Sequence, residues 1–371
     1  MKKRGAVTAP GSPAGNGVQR TTRSPLQKRG EGVAYDLEEG KVRRFLKQYK
    51  SKRAAIQLPS GLRPELQKIV KVFEEAGAEP VIMSGSCYGA CDLAGAEAKR
   101  LGCDALVHYG HADMRLTTCL PTLYVEARIP ADPTNAVESA LHQIEFKRVG
   151  LLTTVQHVAH LQKIAELLYA RGFKPFVGKP GRRAKYSGQL LGCDFGCARS
   201  VAPHVDGFLY VGTGDFHPLG AALTARKEVL AVNPISGDFK SVAPNIEAFL
   251  HGRKAVIARA AAGGRFGIIM GTKPGQARFA LAKKLIESFK CAGRDAYLLT
   301  MDEVRPEGLD DFRLDAFVCT ACPRIPIDDA ERFERPVLTP FEAGVLLGEA
   351  KFEYYEMDEF AGEDLSREKV R

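Results

Sequence analysis

The side chains of this 371-residue sequence best suited to chemistry are its nine cysteines. Six of them form three pairs. Cys87 and Cys91 lie in Gly85-Ser-Cys-Tyr-Gly-Ala-Cys, Cys193 and Cys197 in Leu191-Gly-Cys-Asp-Phe-Gly-Cys, and Cys319 and Cys322 in Cys-Thr-Ala-Cys-Pro. No apolar signal core opens the sequence, so a cytoplasmic protein with reduced thiols is expected rather than a disulfide framework. An odd count at wide spacing points to metal or reactive-thiol chemistry. Structural zinc usually takes two close pairs within one compact knuckle. Pairs about a hundred residues apart, with unequal inner spacing, fit that poorly. An iron–sulfur cubane accepts thiolates from distant segments, and three ligands would leave one iron open to substrate. Cys103, Cys119 and Cys291 have no neighbouring thiol, and Cys103, before an apolar strand, reads as a small buried hydrophobe.

The elements that must position these pairs are read from an internal repeat. Three apolar runs, Ala54–Ser60, Val149–Val155 and Phe266–Thr272, each end in a polar or glycine-containing turn. Each leads into an amphipathic stretch of helix length: Leu62–Glu75, His157–Arg171 and Gln276–Ala292. These stop at Gly77, Gly172 and Gly293, the residue type favoured just past a helix end. Second strands follow at Glu79–Met83, Lys174–Val177 and Ala296–Leu299, and third strands are each introduced by an aspartate, Asp104, Asp206 or Asp315. Fourth strands are expected at Thr122–Arg128, Glu228–Val232 and Pro336–Leu338. Strands alternating with helices imply parallel sheets with crossover helices. The expected fold is α/β, with three repeated Rossmann-like domains arranged around a central iron–sulfur site. Functional loops then lie at the carboxyl ends of the strands, where the cysteine pairs fall.

Composition frames this core. Residues 1–31 hold seven Lys or Arg against Glu31 and few apolar side chains, and residues 349–371 hold eight acids against four bases. The expected organisation is a disordered basic tail over 1–32, α/β domains over 33–145, 146–262 and 263–348, and an acidic C-terminal segment over 349–371. The net charge of +9 comes mostly from the tail and the body, and the body's surplus fits an anionic partner without requiring one. No run of about eighteen uninterrupted apolar residues exists, so no membrane partner is expected.

At the paired cysteines the sequence resembles the archaeal-type diphthamide biosynthesis enzymes, the 2-(3-amino-3-carboxypropyl)histidine synthases. The matching text is Tyr88-Gly-Ala-Cys-Asp-Leu, Gly188-Gln-Leu-Leu-Gly-Cys-Asp and Ala321-Cys-Pro-Arg-Ile-Pro-Ile-Asp. Gln57-Leu-Pro-Ser-Gly-Leu, Val211-Gly-Thr-Gly-Asp-Phe-His-Pro and Gly267-Ile-Ile-Met-Gly-Thr extend it from about residue 35 to 350. The resemblance implies a 4Fe-4S cluster held by Cys91, Cys193 and Cys322, one per domain, with Cys87, Cys197 and Cys319 not ligands. It implies that the reduced cluster binds S-adenosylmethionine at its open iron and breaks the bond from sulfur to the methionine γ-carbon. Methylthioadenosine would leave, and a 3-amino-3-carboxypropyl radical would add to C2 of a histidine in translation elongation factor 2. A homodimer and a small electron donor are further implications, and no direct nucleic-acid contact is expected.

Three turns are candidates for holding the cofactor. Gly212, Gly214, Phe216 and His217 follow a third strand and open a helix, whose N-terminus favours a carboxylate such as that of the cofactor's methionine. Gly271, Thr272 and Gln276 follow the first strand of the third repeat, and Ser60 and Gly61 form the equivalent turn of the first. The basic loop Lys179–Lys185 could face an acidic protein surface. Two other readings compete: a quinolinate synthase-like 4Fe-4S enzyme without S-adenosylmethionine, and a zinc-stabilised RNA-binding module.

Overall fold

Each first apolar run becomes an inner strand of its own sheet. The computed structural model describes residues 33–359, so the basic tail and residues 360–371 lie outside it. In the first repeat, β1 (Arg53–Gln57), β2 (Glu79–Met83), β3 (Ala105–Tyr109) and β4 (Thr122–Val125) form a sheet of order β2-β1-β3-β4. The second repeat supplies β5 (Arg148–Thr153), β6 (Lys174–Val177), β7 (Gly207–Val211), β8 (Val229–Val232) and β9 (Phe239–Ser241), in order β6-β5-β7-β8-β9. The third supplies β10 (Arg265–Gly271), β11 (Asp295–Met301), β12 (Ala316–Cys319) and β13 (Val337–Leu338), in order β11-β10-β12-β13. All pairings are parallel except β8 with β9. That three-residue strand was not expected, because Phe-Lys-Ser is too short to show a pattern.

Inner strands are apolar on both sides because both faces are covered. Phe208 and Tyr210 of β7 enter one core, while Leu209 and Val211 enter the opposite one. The same split separates Ile268 from Ile269 in β10, and Ile56 from Ala55 in β1. Among the described residues no helix is long and apolar enough to cross a membrane.

Two local devices recur in all three repeats. The crossover helices Leu66–Glu75, Leu161–Ala170 and Phe279–Cys291 close with a glycine at positive φ: Gly77 at 81°, Gly172 at 81° and Gly293 at 73°. The next residue's amide donates back to the helix in each case, Ala78 to Phe73, Phe173 to Leu168 and Arg294 to Phe289, all at 3.0 Å. This satisfies carbonyls that would otherwise lack partners. The helices begin later than expected in all three repeats, in the first two after short 3-10 turns at Ser60–Glu65 and Val158–His160; Pro64 lies inside the first of these.

The second device explains the aspartates. Asp104, Asp206 and Asp315 accept from backbone amides that open the first strand, at Lys52 (2.8 Å), Arg148 (3.0 Å) and Arg265 (2.9 Å). Their own amides donate to the carbonyls of Arg53, Arg148 and Arg265. The guanidinium groups of Arg148 and Arg265, first among the causes, hold the Asp206 and Asp315 carboxyls down to about 2. The aspartate repeat is therefore a strand-alignment feature rather than a catalytic one.

The 19-residue helix Ala243–Ala261 leads from the second sheet to the third. Its Arg253 is buried, donating to both oxygens of Glu342 at 2.6 Å and to the carbonyls of Pro326 and Val337. Tyr355 donates to the same carboxylate at 2.6 Å, and Tyr355 and Met357 complete a core of the second repeat. The start of the acidic C-terminal segment is thus packed onto the body.

Candidate metal and cofactor site

The three cysteine loops meet. Cys91 lies in the loop after β2 and Cys322 in the turn after β12. Cys193 sits at the tip of a tight turn closed by reciprocal backbone bonds between Leu191 and Asp194, at 3.1 and 3.2 Å. Burial, the largest cause, raises the pKa of all three thiols. Cys91 and Cys193 each raise Cys322 further, and Cys91 raises Cys193, so the three share one electrostatic environment. Glu359 raises all three, while Arg183 lowers Cys91 and Cys193.

Their paired thiols turn elsewhere. Cys197 is fully buried in its repeat's core and donates to the carbonyl of Gln189 at 3.2 Å. Cys319 is buried in a core of the third repeat. Cys87 faces His108 and His111. Cys103 is buried beside β3 as expected, whereas Cys119 and Cys291 are exposed.

This donor set fits a thiolate-held cationic group. Three half-buried thiols with raised pKa values are disfavoured as bare thiolates, and a metal cation would supply the missing positive charge. Among the described residues, the three sulfurs are not grouped within 4.8 Å of one another. One tetrahedral zinc ion with Zn–S of about 2.3 Å would draw thiolates to about 3.8 Å. A cluster with each thiolate on a different iron suits wider spacing.

The expected loop of the third repeat braces the first. The Gly275 amide donates to the Cys91 carbonyl at 2.9 Å, and a Cβ at Gly275 would overlap Cys91. The Gln276 side-chain amide nitrogen, Nε2, donates toward the Cys91 sulfur at 3.6 Å. Lys273, 6% exposed, pairs with Asp92, 8% exposed, at 2.8 Å. Gly271 is packed so closely that a Cβ would come within 2.8 Å of the side-chain oxygen Oε1 of Gln276. Thr272 is exposed and donates to Asp302 at 3.2 Å.

The second repeat's turn lies beside Cys193 and Cys322. Phe216 is buried, with the Arg324 guanidinium 5.1 Å over its ring, and a Cβ on Gly192 would contact both side chains. His217 stacks parallel to Tyr210 at 6.4 Å. Burial, then Arg324, lowers its pKa to about 4, so its ring is neutral at physiological pH. Gly212 is packed against Tyr210, whereas Gly214, at φ 77°, is open. Ser60 is exposed, and Gly61 lines a separate cavity of about 260 Å³ with His111, His157 and Thr213.

Sequence reasoning missed several contributors. Glu359 donates its amide to the Cys193 carbonyl at 3.1 Å, and Arg278 pairs with its carboxylate at 3.2 Å. Arg183 belongs to the basic loop that was expected to face solvent or a partner. Lys273 had no local signal at all.

The chain matches the profile of the diphthamide synthesis protein family over residues 58–357. It is 38% identical over 332 residues to 2-(3-amino-3-carboxypropyl)histidine synthase of Pyrococcus horikoshii, covering 89% of this chain and 95% of that protein. It is 32% identical over 336 residues to subunit 1 of that synthase from Nematostella vectensis, covering 88% of this chain and 70% of the relative. The crystal structure of Dph2 from Pyrococcus horikoshii with a 4Fe-4S cluster superposes with a TM-score of 0.82 at 37% identity. That match covers 87% of this chain and 94% of the other.

Proposed function

This chain belongs to the diphthamide synthesis protein family, and on that premise we propose that it transfers a 3-amino-3-carboxypropyl group from S-adenosylmethionine to C2 of a histidine in translation elongation factor 2. It is a transferase, and Cys91, Cys193 and Cys322 hold its 4Fe-4S cluster. The observation that carries this reading is the meeting of three thiols, one from each repeat, while their three partners turn away. When bound, the cluster supplies the electron that cleaves the sulfonium cofactor.

The protein's own groups orient and shield. Lys273, Gly275 and Gln276 brace the Cys91 loop, and the Gln276 side-chain amide donating toward the sulfur withdraws electron density from that ligand. The amides around open Gly214, at the start of the ten-residue helix Phe216–Ala225, receive the cofactor's carboxylate. Neutral His217 and Phe216 wall that side without adding charge. The backbone at Glu359 lies over Cys193 and keeps water from the centre. Elongation factor 2, a small electron donor and a second copy of the chain complete the reading as partners.

The test is anaerobic incubation of reduced protein with labelled S-adenosylmethionine, with and without elongation factor 2. Label should reach the protein substrate, and methylthioadenosine should form in both cases. Dominant 5′-deoxyadenosine, or label that never leaves the small-molecule fraction, would sink this reading.

A further inference from the structure

Of the three paired thiols that turn from the centre, Cys197 and Cys319 enter apolar cores, whereas Cys87 meets two imidazoles. The donor atoms of Cys87, His108 and His111 all lie within 4.8 Å of one another, and Cys87 and His108 are buried. His108 Nδ1 is 2.9 Å from the Gln57 side-chain oxygen, and its Nε2 is 2.9 Å from His111 Nδ1. The Gln57 amide has a defined orientation: its nitrogen donates to the Asp92 carbonyl at 2.5 Å, and its oxygen accepts from the Ala94 amide at 3.1 Å. That oxygen can only accept, so His108 carries its proton on Nδ1 and presents the Nε2 lone pair to the cluster of donors. A ring nitrogen oriented in this way by a second residue is the arrangement found behind metal-bound histidines.

We propose that Cys87, His108 and His111 form a second metal site, taking one zinc-like divalent ion through Sγ, Nε2 and Nδ1. The donors are one sulfur and two nitrogens, which suit a borderline ion and not magnesium or calcium. Tetrahedral bonds of about 2.0 Å to nitrogen place two nitrogens about 3.3 Å apart, so the imidazole pair needs to open by only about 0.4 Å. Binding breaks the Cys87 S–H bond, forms a metal–sulfur bond and releases one proton to solvent; no electron moves. Water fills the fourth position. The ion joins the Cys91 loop to the end of β3 inside the first repeat, so it does not depend on the proposed transfer activity.

The experiment uses full-length protein with iron and sulfide restored anaerobically, exposed to Zn²⁺ and then dialysed, with both metals counted by mass spectrometry. Wild type should retain about one zinc per chain. Cys87→Ala and the milder His111→Asn should bind zinc roughly tenfold more weakly or worse while keeping wild-type iron. Zinc should also raise the Tm of wild type and not of His111→Asn. Wild type that retains no zinc overturns the site, as does equal retention by both variants. Zinc that is lost with Cys91→Ala and kept by Cys87→Ala overturns it too, by placing the ion on the central thiols. Zinc retained without iron would defeat the cluster assignment while supporting this one.

Discussion

The loops carrying Cys91 and Cys193 bring the same kind of thiol into one electrostatic environment, but they differ in how much of their hold comes from distant repeats. The Cys193 loop supplies more of its own closure, although Glu126 also holds Lys185 and Tyr186 and the Glu359 amide donates to the Cys193 carbonyl. Asp194 accepts from the amides of Arg183 (2.6 Å), Ala184 (3.2 Å) and Gly196 (2.9 Å), and the Gln189 side chain accepts from Lys185 and Tyr186 at 3.0 Å. These partners of Asp194 and Gln189 all lie in residues 183–196, so the turn can form before any other repeat docks. The Cys91 loop has links of its own, from Ser86 and Tyr88 to the Asp92 carboxylate and from Gln57 to the Asp92 carbonyl. It is further braced from the third repeat by Lys273, Gly275 and Gln276. Ser86 and Lys273 are 187 residues apart. The centre is therefore complete only when the third repeat docks on the first.

The largest effects should fall on the thiols themselves, which both loops exist to present. Single Ala replacements at Cys91, Cys193 or Cys322 should each lower iron content and abolish turnover, whereas replacements at Cys103, Cys119 or Cys291 should leave iron unchanged. Iron analysis and a transfer assay on the six variants decide this. Full iron in Cys91→Ala with loss in Cys87→Ala would reassign the ligand of the first repeat.

Next come variants that separate the two loops. Lys273→Ala leaves the Asp92 carboxylate buried without its ammonium, which should cost about 3–5 kcal/mol. Asp194→Ala removes acceptors from three backbone amides and should cost about 1–3 kcal/mol. Hydrogen exchange should show faster opening of residues 84–94 in the first variant and of 183–196 in the second. If either variant loosens both loops equally, the contrast between the two loops is wrong.

The smallest effect tests a feature outside both loops. Gly172 ends its helix at φ 81° with nothing within 4 Å, so Gly172→Ala meets no clash and only the backbone penalty. It should lower stability by about 1 kcal/mol, read as a small fall in Tm with iron content intact. A fall as large as that of Lys273→Ala would mean that helix closure in the second repeat supports the centre.

What this sequence determined alone was whatever is encoded within a few residues. Apolar runs between glycine or aspartate markers placed every parallel strand to within a few residues, most clearly the inner ones, where two-sided burial demands uninterrupted apolar stretches. β9 escaped, since three residues carry no period. The thiols of Cys91, Cys193 and Cys322 were distinguished from Cys87, Cys197 and Cys319 only by family motifs, for spacing treats both members of a pair alike. Tertiary structure decided the rest. It buried Cys197 and Cys319 in the cores of their own repeats, set Cys87 beside a pair of hydrogen-bonded histidines, and laid Glu359 over Cys193. It also made Gly275, within a turn offered as a cofactor site, the contact surface for Cys91. Such pairings join segments far apart in the chain, and no local periodicity or turn preference records which distant loop will arrive there.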